Sequence, residues 1–425
     1  MENPTVASAT PSPARVATVQ RRTLGLLFTT QTLGGVGVAI GLSVGALLAV
    51  ELAGVGVSGL ATSAAVVGAA LLAVPVTWVM RQYGRRPGLA AAYLVAAVGG
   101  AAVVVAAVIG APLLLFVGLF LFGGGTTAGN LARYTAVDLA PPAHRGRHLS
   151  LVVWATTVGA VAGPNLAPAA GRLLDGYGIP TLAAPFLFSA VLFGLAALVL
   201  LALLRPDPLQ LARRMHGEPP SPAGKVGVRP AWAAVVAQPA ARLGVAAMAV
   251  GHLVMVAVMA MTPVHILDAG HDDAHTLRIV GVVLSVHIAG MFAFAPVTGW
   301  LTDRYGRRRV ILGGIGVLLA ACAVAGTAGH HSAQLTVGLF LLGLGWSGTM
   351  VAGSTLLSES VGDDLRPSAQ GLSDLVMGLA GAAGGALSGL VVAWAGYPTL
   401  ALLAAIAAVP SLALALRPVR ERLYG

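Results

Sequence analysis

Charge is scarce in this chain of 425 residues: Asp, Glu, Lys and Arg together make up 9%, against about 25% in water-soluble domains. That deficit excludes an ordinary soluble protein. Cysteine occurs once, at Cys322, so no intramolecular disulfide forms and no thiol pair is present to hold a metal. The chain has no G-x-x-x-x-G-K-[ST] phosphate loop, which excludes an ATP-driven pump built from this chain alone. No nucleophile-base-acid arrangement or cofactor motif appears, which disfavours an enzyme, and no cofactor is expected. The first 22 residues are polar and Pro-rich, and no small-residue cleavage site follows a short apolar core, so a cleavable signal peptide is not expected.

What is abundant is apolar sequence. Hydrophobic residues make up 57% of the chain, and they fall into twelve runs of the length that spans a bilayer, about 20 residues each. The fold class expected is all-α integral membrane, with twelve transmembrane helices in two six-helix bundles. Residues 1–22 read as a disordered tail, 23–204 as the first bundle, 205–241 as a Pro-, Gly- and Arg-rich linker, 242–417 as the second bundle and 418–425 as a second tail. The 56 glycines allow helix backbones to approach closely, which is how membrane helices pack.

The net charge of +10 suggests nucleic acid until the basic residues are placed. With both ends inside the cell, two of the 25 Lys and Arg residues (Arg172, Arg278) lie outside and one (Arg133) lies within a helix, leaving 22 on the inner side. That is the positive-inside distribution. The expectation is a multi-pass protein of the cytoplasmic membrane with cytoplasmic termini and the lipid bilayer as its partner. No nucleic acid is expected to bind, and a monomer is the expected state.

The chain is also duplicated. Superposing Tyr83-Gly84-Arg85-Arg86 on Tyr305-Gly306-Arg307-Arg308 gives an offset of 222 residues. Asp138 and Arg145 then fall on Glu359 and Arg366, and Gly163 on Gly384, at an offset of 221. A shared offset at separate landmarks is the signature of two structural repeats.

The stretch Gly299 to Leu312 (GWLTDRYGRRRVIL), between the eighth and ninth runs, carries the pattern G-x-x-x-D-R-x-G-R-R. Its worn copy between the second and third runs has Thr77 for Gly, Arg81 for Asp and Gln82 for Arg. In pattern, helix count and repeat, the chain resembles the major facilitator superfamily. The resemblance implies a secondary transporter of a small solute, working by alternating access. It also implies a gate formed by Asp303, Arg304, Gly306, Arg307 and Arg308 with Gly84, Arg85, Arg86, Asp138, Arg145, Glu359 and Arg366. Asp303 is expected to face the start of the fifth helix near Leu149, and Glu359 to pair with Arg304 or Arg307. The missing acid at Arg81 implies a differently wired second latch.

Two features bear on direction. Leu119 stands where efflux members of the family carry an arginine, which counts against an ordinary drug-proton antiporter. Gly159, Gly163 and Pro164 resemble the G-x-x-x-G-P motif of exporters, although small residues four apart also make any tight helix crossing.

Candidate chemistry lies in the second half. Met248, His252, Met255 and Met259 share one face of the seventh helix, and His287 and Met291 share a face of the eighth. The outer loop between them holds Asp268, His271, Asp272, Asp273 and His275. Thioether sulfur selects Cu(I), and imidazole suits copper as well. The pairs Met255/Met259 and His287/Met291 resemble the motifs of the CcoA-like copper importers, a branch of the same superfamily. That resemblance implies a metal path through these four residues, with copper as transported cargo. The alternative is core packing, for which Met is a common filler.

Trp346 is a candidate for lining the cavity. In the first helix, Thr29, Thr30, Gln31 and Thr32 form a polar cluster that either lines a cavity or packs. Arg133 reads as snorkelling or latch-forming, with substrate binding as the alternative. Asp374 reads as a partner for loop arginines or as a proton-coupling acid, so Arg133 and Asp374 are the coupling candidates. Three functions stay open: copper uptake, proton-coupled efflux of a small organic compound, and uptake of an organic solute such as a flavin.

Overall fold

The computed structural model describes residues 12–53, 58–173, 178–215, 228–267 and 273–416. The helices of the first half are α1 (Pro13–Ala53), α2 (Ser58–Tyr83), α3 (Arg85–Ile109), α4 (Pro112–Phe122), α5 (Gly124–Thr135), α6 (Arg145–Leu173) and α7 (Ala184–Leu203). Short α8 (Pro208–Met215) and α9 (Val228–Ala237) follow. The second half contains α10 (Pro239–Leu267), α11 (Asp273–Phe292), α12 (Ala295–Tyr305), α13 (Arg307–Gly326), α14 (Ser332–Ser360) and α15 (Arg366–Leu416).

Ten stretches among the described residues are long and apolar enough to cross a membrane. α4 and α5 form one crossing, interrupted at Gly123, and α11 with α12 form another. The 51-residue α15 is long enough for two crossings and is broken at Gly396, whose φ of 78° lies in the left-handed region. That break falls where the last two apolar runs of the sequence meet. With the 29-residue α6, the crossings number twelve among the described residues.

Each half has its own core. One apolar cluster links α1 to α7, around Leu27, Tyr93, Phe122, Phe186 and Phe193. A second links α9 to α15, around Met248, Val258, Ile315, Leu339 and Leu357. A small third cluster straddles the halves, where Val137, Leu149 and Val153 meet Ala295 and Val351.

The arginine-rich loops, the start of α1 and the end of α15 lie at one end of the molecule, called here the basic end. The tail is shorter than expected, because α1 runs unbroken from Pro13 through Arg22. The linker contains α8 and α9, and Asp207 is built into the first half: it accepts the Arg86 N–H at 2.7 Å. The outer-loop residues Asp268, His271 and Asp272 and the tail at 418–425 fall outside the described residues.

Candidate substrate cavity and gate

The turn between α2 and α3 and the turn between α12 and α13 require glycine for the same reason: Gly84 and Gly306 have φ of 100° and 91°. Each glycine delivers an arginine to a carboxylate at the end of a neighbouring helix. Arg85 binds Asp138 through Nε at 2.8 Å and Nη2 at 3.0 Å. Arg307 binds Glu359 through Nε at 3.0 Å and Nη2 at 2.7 Å. These pairs are equivalents under the 222 and 221 offsets. The next arginines match as well, with Arg86 Nε donating to Leu201 O and Arg308 Nε to Ala415 O.

The halves are joined at this end. Asp303 accepts the backbone N–H groups of Gly146 at 2.8 Å and Arg147 at 2.9 Å, at the positive end of α6. Arg307 Nη2 also donates to Pro142 O at 2.6 Å, Arg145 lies 3.5 Å from Glu359, and Arg85 Nη2 donates to Gln370 at 2.7 Å. Arg366 pairs with Asp363, and Arg304 is exposed. Among the described residues, the hydrogen bonds and ion pairs that join the halves lie here or deeper along the same interface. This structure is therefore closed at the basic end.

Helix packing at the two junctions is complementary in an inverted sense. In α12, Gly299 nests against Gly146 and Ser150 of α6. In α2 the equivalent of Gly299 is Thr77, and it packs on Gly371 of α15, the equivalent of Ser150. The small residue has changed sides, so each junction pairs one glycine with one hydroxyl-bearing side chain.

Above this gate, between the halves, is a cavity of about 430 Å³, within the range of small-molecule sites. Its floor includes Arg133 and Asp374. Arg133 Nη2 pairs with Asp374 Oδ1 across the halves, and its Nε donates to Ser354 Oγ at 3.1 Å. Arg133 is 1% exposed, so it does not snorkel: α5 ends within the protein, and its last turn faces α15 rather than lipid or water. Asp374 takes Arg133 as its partner, not a loop arginine.

The first-half wall carries a few polar side chains among alanine, glycine and valine. Gln31 Nε2 donates to Thr156 Oγ1 at 3.0 Å while its Oε1 has no partner. Asn130 and Thr126 line the same wall. The second-half wall is aromatic and thioether: Trp346, Phe292, Met291, Met350 and Met377, with His252. Trp346 Nε1 donates to His252 Nδ1 at 3.0 Å, which fixes the imidazole as an acceptor there, and Phe292 meets the indole edge to face.

The four residues of the sequence-derived metal path are not brought together at the cavity. Met291 and His252 line it. Met255 is buried in the core of the second half, and Met259 packs against that core from its edge. His287 is fully buried, with Nδ1 donating to Leu339 O at 2.8 Å. Among the described residues, no group of three His, Cys, Asp or Glu side chains is placed to hold a metal ion. Gln31 was legible in the polar cluster of α1. Asn130 was not singled out, although an amide three residues before Arg133 in an apolar run was the available signal.

Two helical bundles with a cavity between them, closed at one end, are the architecture of a membrane transporter. The Major Facilitator Superfamily family model matches residues 23–277 and 272–424. The chain belongs to the major facilitator superfamily; it is a multi-pass membrane protein and not an enzyme. It is 37% identical over 397 residues to the uncharacterized MFS-type transporter YdeG of Bacillus subtilis, covering 93% of this chain and 91% of the relative. It is 29% identical over 362 residues to the riboflavin transporter RfnT of Brucella anthropi, covering 85% and 86%. Neither is a CcoA-like importer. Among solved structures, the human organic anion transporter MFSD10 superposes with a TM-score of 0.72 at 16% identity, covering 93% of this chain and 99% of that one.

Proposed function

We propose that the chain is a secondary transporter of an uncharged organic solute with a flat ring system, bound in the cavity between the halves. The observation that carries this reading is the division of the cavity. Gln31 and Asn130 offer amide hydrogen bonds on one side, Trp346 and Phe292 offer ring faces and edges on the other, and the charges of Arg133 and Asp374 cancel on the floor. Such walls favour a neutral heteroaromatic over an ion. The similarity to a riboflavin transporter supports a flavin-type ring as the first solute to offer. Copper entry draws less support, since Met255, Met259 and His287 do not line the cavity.

Coupling runs through Asp374. Parting the halves at the basic end separates Asp374 from Arg133, which frees the carboxylate to exchange a proton. The excess of arginine at the basic end supports a cytoplasmic position for that end, with the chain spanning the cell membrane. The cavity is formed within one chain, so a monomer suffices. The test is counterflow of labelled riboflavin in proteoliposomes: flux is expected in wild type and a loss of tenfold or more in Gln31→Ala and Trp346→Ala. Equal flux in all three would refute the cavity as the path.

A further inference from the structure

A second cavity, of about 450 Å³, lies at the basic end and is walled by the first half and the linker alone. It is as large as the central one and lies outside the solute path proposed above. α1 contributes Val16 and Arg21, the segment between α5 and α6 contributes Leu139 and His144, α6 contributes His148, and α8 contributes Met215. α1 begins at Pro13, ahead of the apolar run that starts at residue 23. Val16 and Arg21 therefore stand on the water side of the hydrocarbon.

Gln20 fixes the state of one imidazole in this wall. Its Nε2 donates to Ala136 O at 2.7 Å, which sets the orientation of the amide, and to His148 Nδ1 at 3.0 Å. His148 Nδ1 is therefore an acceptor, and the ring's proton sits on Nε2 as a donor. His148 is only part-buried, His144 and Arg21 are exposed, and the two imidazole rings lie 6.2 Å apart. Among the described residues, no Asp or Glu lines the cavity. The acid nearest in the gate to this stretch of chain, Asp303, is taken up by the N–H groups of Gly146 and Arg147. One guanidinium and two imidazoles thus line a space that holds no counter-charge, and the remaining wall is apolar. N–H donors of this kind bind oxyanions well, and an apolar wall takes the body of a small molecule.

We propose that this cavity binds a water-soluble organic phosphate monoester. The three phosphate oxygens take the N–H groups of Arg21, His144 and His148, and the apolar body lies on Val16, Leu139 and Met215. The ligand enters from the aqueous phase at the basic end, because the α1 part of the wall lies beyond the apolar run. The same phosphate chemistry is carried by the phosphodiester of an anionic lipid, and the test separates the two sources.

The experiment is calorimetric titration of the purified full chain, in a neutral detergent, with phenyl phosphate. Wild type is expected to bind it saturably, and inorganic phosphate about tenfold more weakly, since the free ion leaves the apolar wall uncovered. The double variant Arg21→Gln/His144→Gln, at two exposed positions, should bind phenyl phosphate about tenfold more weakly or worse. Trp346→Ala should bind it as wild type does, which separates this cavity from the central one. In nanodiscs, replacing phosphatidylcholine by phosphatidylglycerol should leave the affinity for phenyl phosphate unchanged. No saturable binding by wild type, equal binding by the double variant, or loss of binding in Trp346→Ala would overturn the proposal. Competition by phosphatidylglycerol would make the lipid phosphodiester the occupant and overturn the assignment to a water-soluble ligand. Should the double variant fail to fold, Met215→Glu, which sets a negative charge in the exposed wall, serves the same comparison, and the wild-type titration alone is enough to overturn the proposal.

Discussion

Replacing Gly371 by alanine tests whether the inverted junction between α2 and α15 sets the position of the gate. The added Cβ would lie 2.6 Å from Thr77 Cγ2 and 2.9 Å from Thr77 Cβ, well inside van der Waals contact. Thr77 is not free to swing aside, because its Oγ1 donates to Ala73 O at 2.7 Å and Val74 O at 3.0 Å, and a β-branched residue in a helix has few rotamers. Overpacking of this kind costs about 1–3 kcal/mol. The cost falls only on the conformation in which α2 and α15 touch, so the closed-to-open ratio should drop by about 5- to 150-fold. The assay is the distance distribution between spin labels at the exposed positions Tyr83 and Arg309, one in each half, in a Cys322→Ala background. Thr77→Gly in the same chain should restore the closed population, since the junction would then again hold a glycine against a small side chain, as Gly299 does against Ser150. An unchanged distribution in Gly371→Ala, or a shift that Thr77→Gly leaves in place, would refute the reasoning.

Asp374→Asn keeps the shape of the Arg133 contact and removes its charge, so it mimics the protonated acid. Solute counterflow should persist while accumulation driven by a proton gradient is lost, and gradient-driven accumulation at the wild-type level would exclude Asp374 as the coupling group. The equivalent pairs Arg85–Asp138 and Arg307–Glu359 should differ in stability, because the first is fully buried and the second has side chains 16% and 22% exposed. Thermal unfolding should show Asp138→Asn destabilising by about 3–5 kcal/mol, and Glu359→Gln by no more than about 1 kcal/mol. Equal losses would mean that burial does not separate them.

The features most legible in the sequence were those written twice. The Tyr-Gly-Arg-Arg repeat marked both arginine turns, and of the two partners expected for Glu359, Arg304 and Arg307, it binds Arg307, while the equivalent pairing of Asp138 with Arg85 was not foreseen. Asp303 was expected near Leu149 and is bound three residues earlier, at Gly146, because the first N–H groups of α6 are the unsatisfied ones. The Met and His stripe of α10 was less legible. Helical periodicity places Met248, His252, Met255 and Met259 on one face, but that face turns from the cavity at His252 into the core at Met255, and periodicity carries no information about what a face meets. For Arg133 only the snorkelling half of the expectation fails, for a related reason: distance from the helix end suggested it, whereas its partner lies 241 residues away in α15 and joins the two halves. The exchange of small residue between Thr77/Gly371 and Gly299/Ser150 looks like motif decay until both junctions are seen together.

The central claim is that solute passes through the cavity bounded by Gln31 and Trp346, and flux through the purified chain tests it most directly. Wild type, Trp346→Ala and the Met255→Leu/Met259→Leu double variant are reconstituted in proteoliposomes and offered labelled riboflavin and, separately, copper under reducing conditions. Riboflavin flux that is lost in Trp346→Ala and retained in the double variant is the predicted result. Copper flux that disappears in the double variant, with no riboflavin flux in wild type, would contradict the account and return the Met stripe to the transport path.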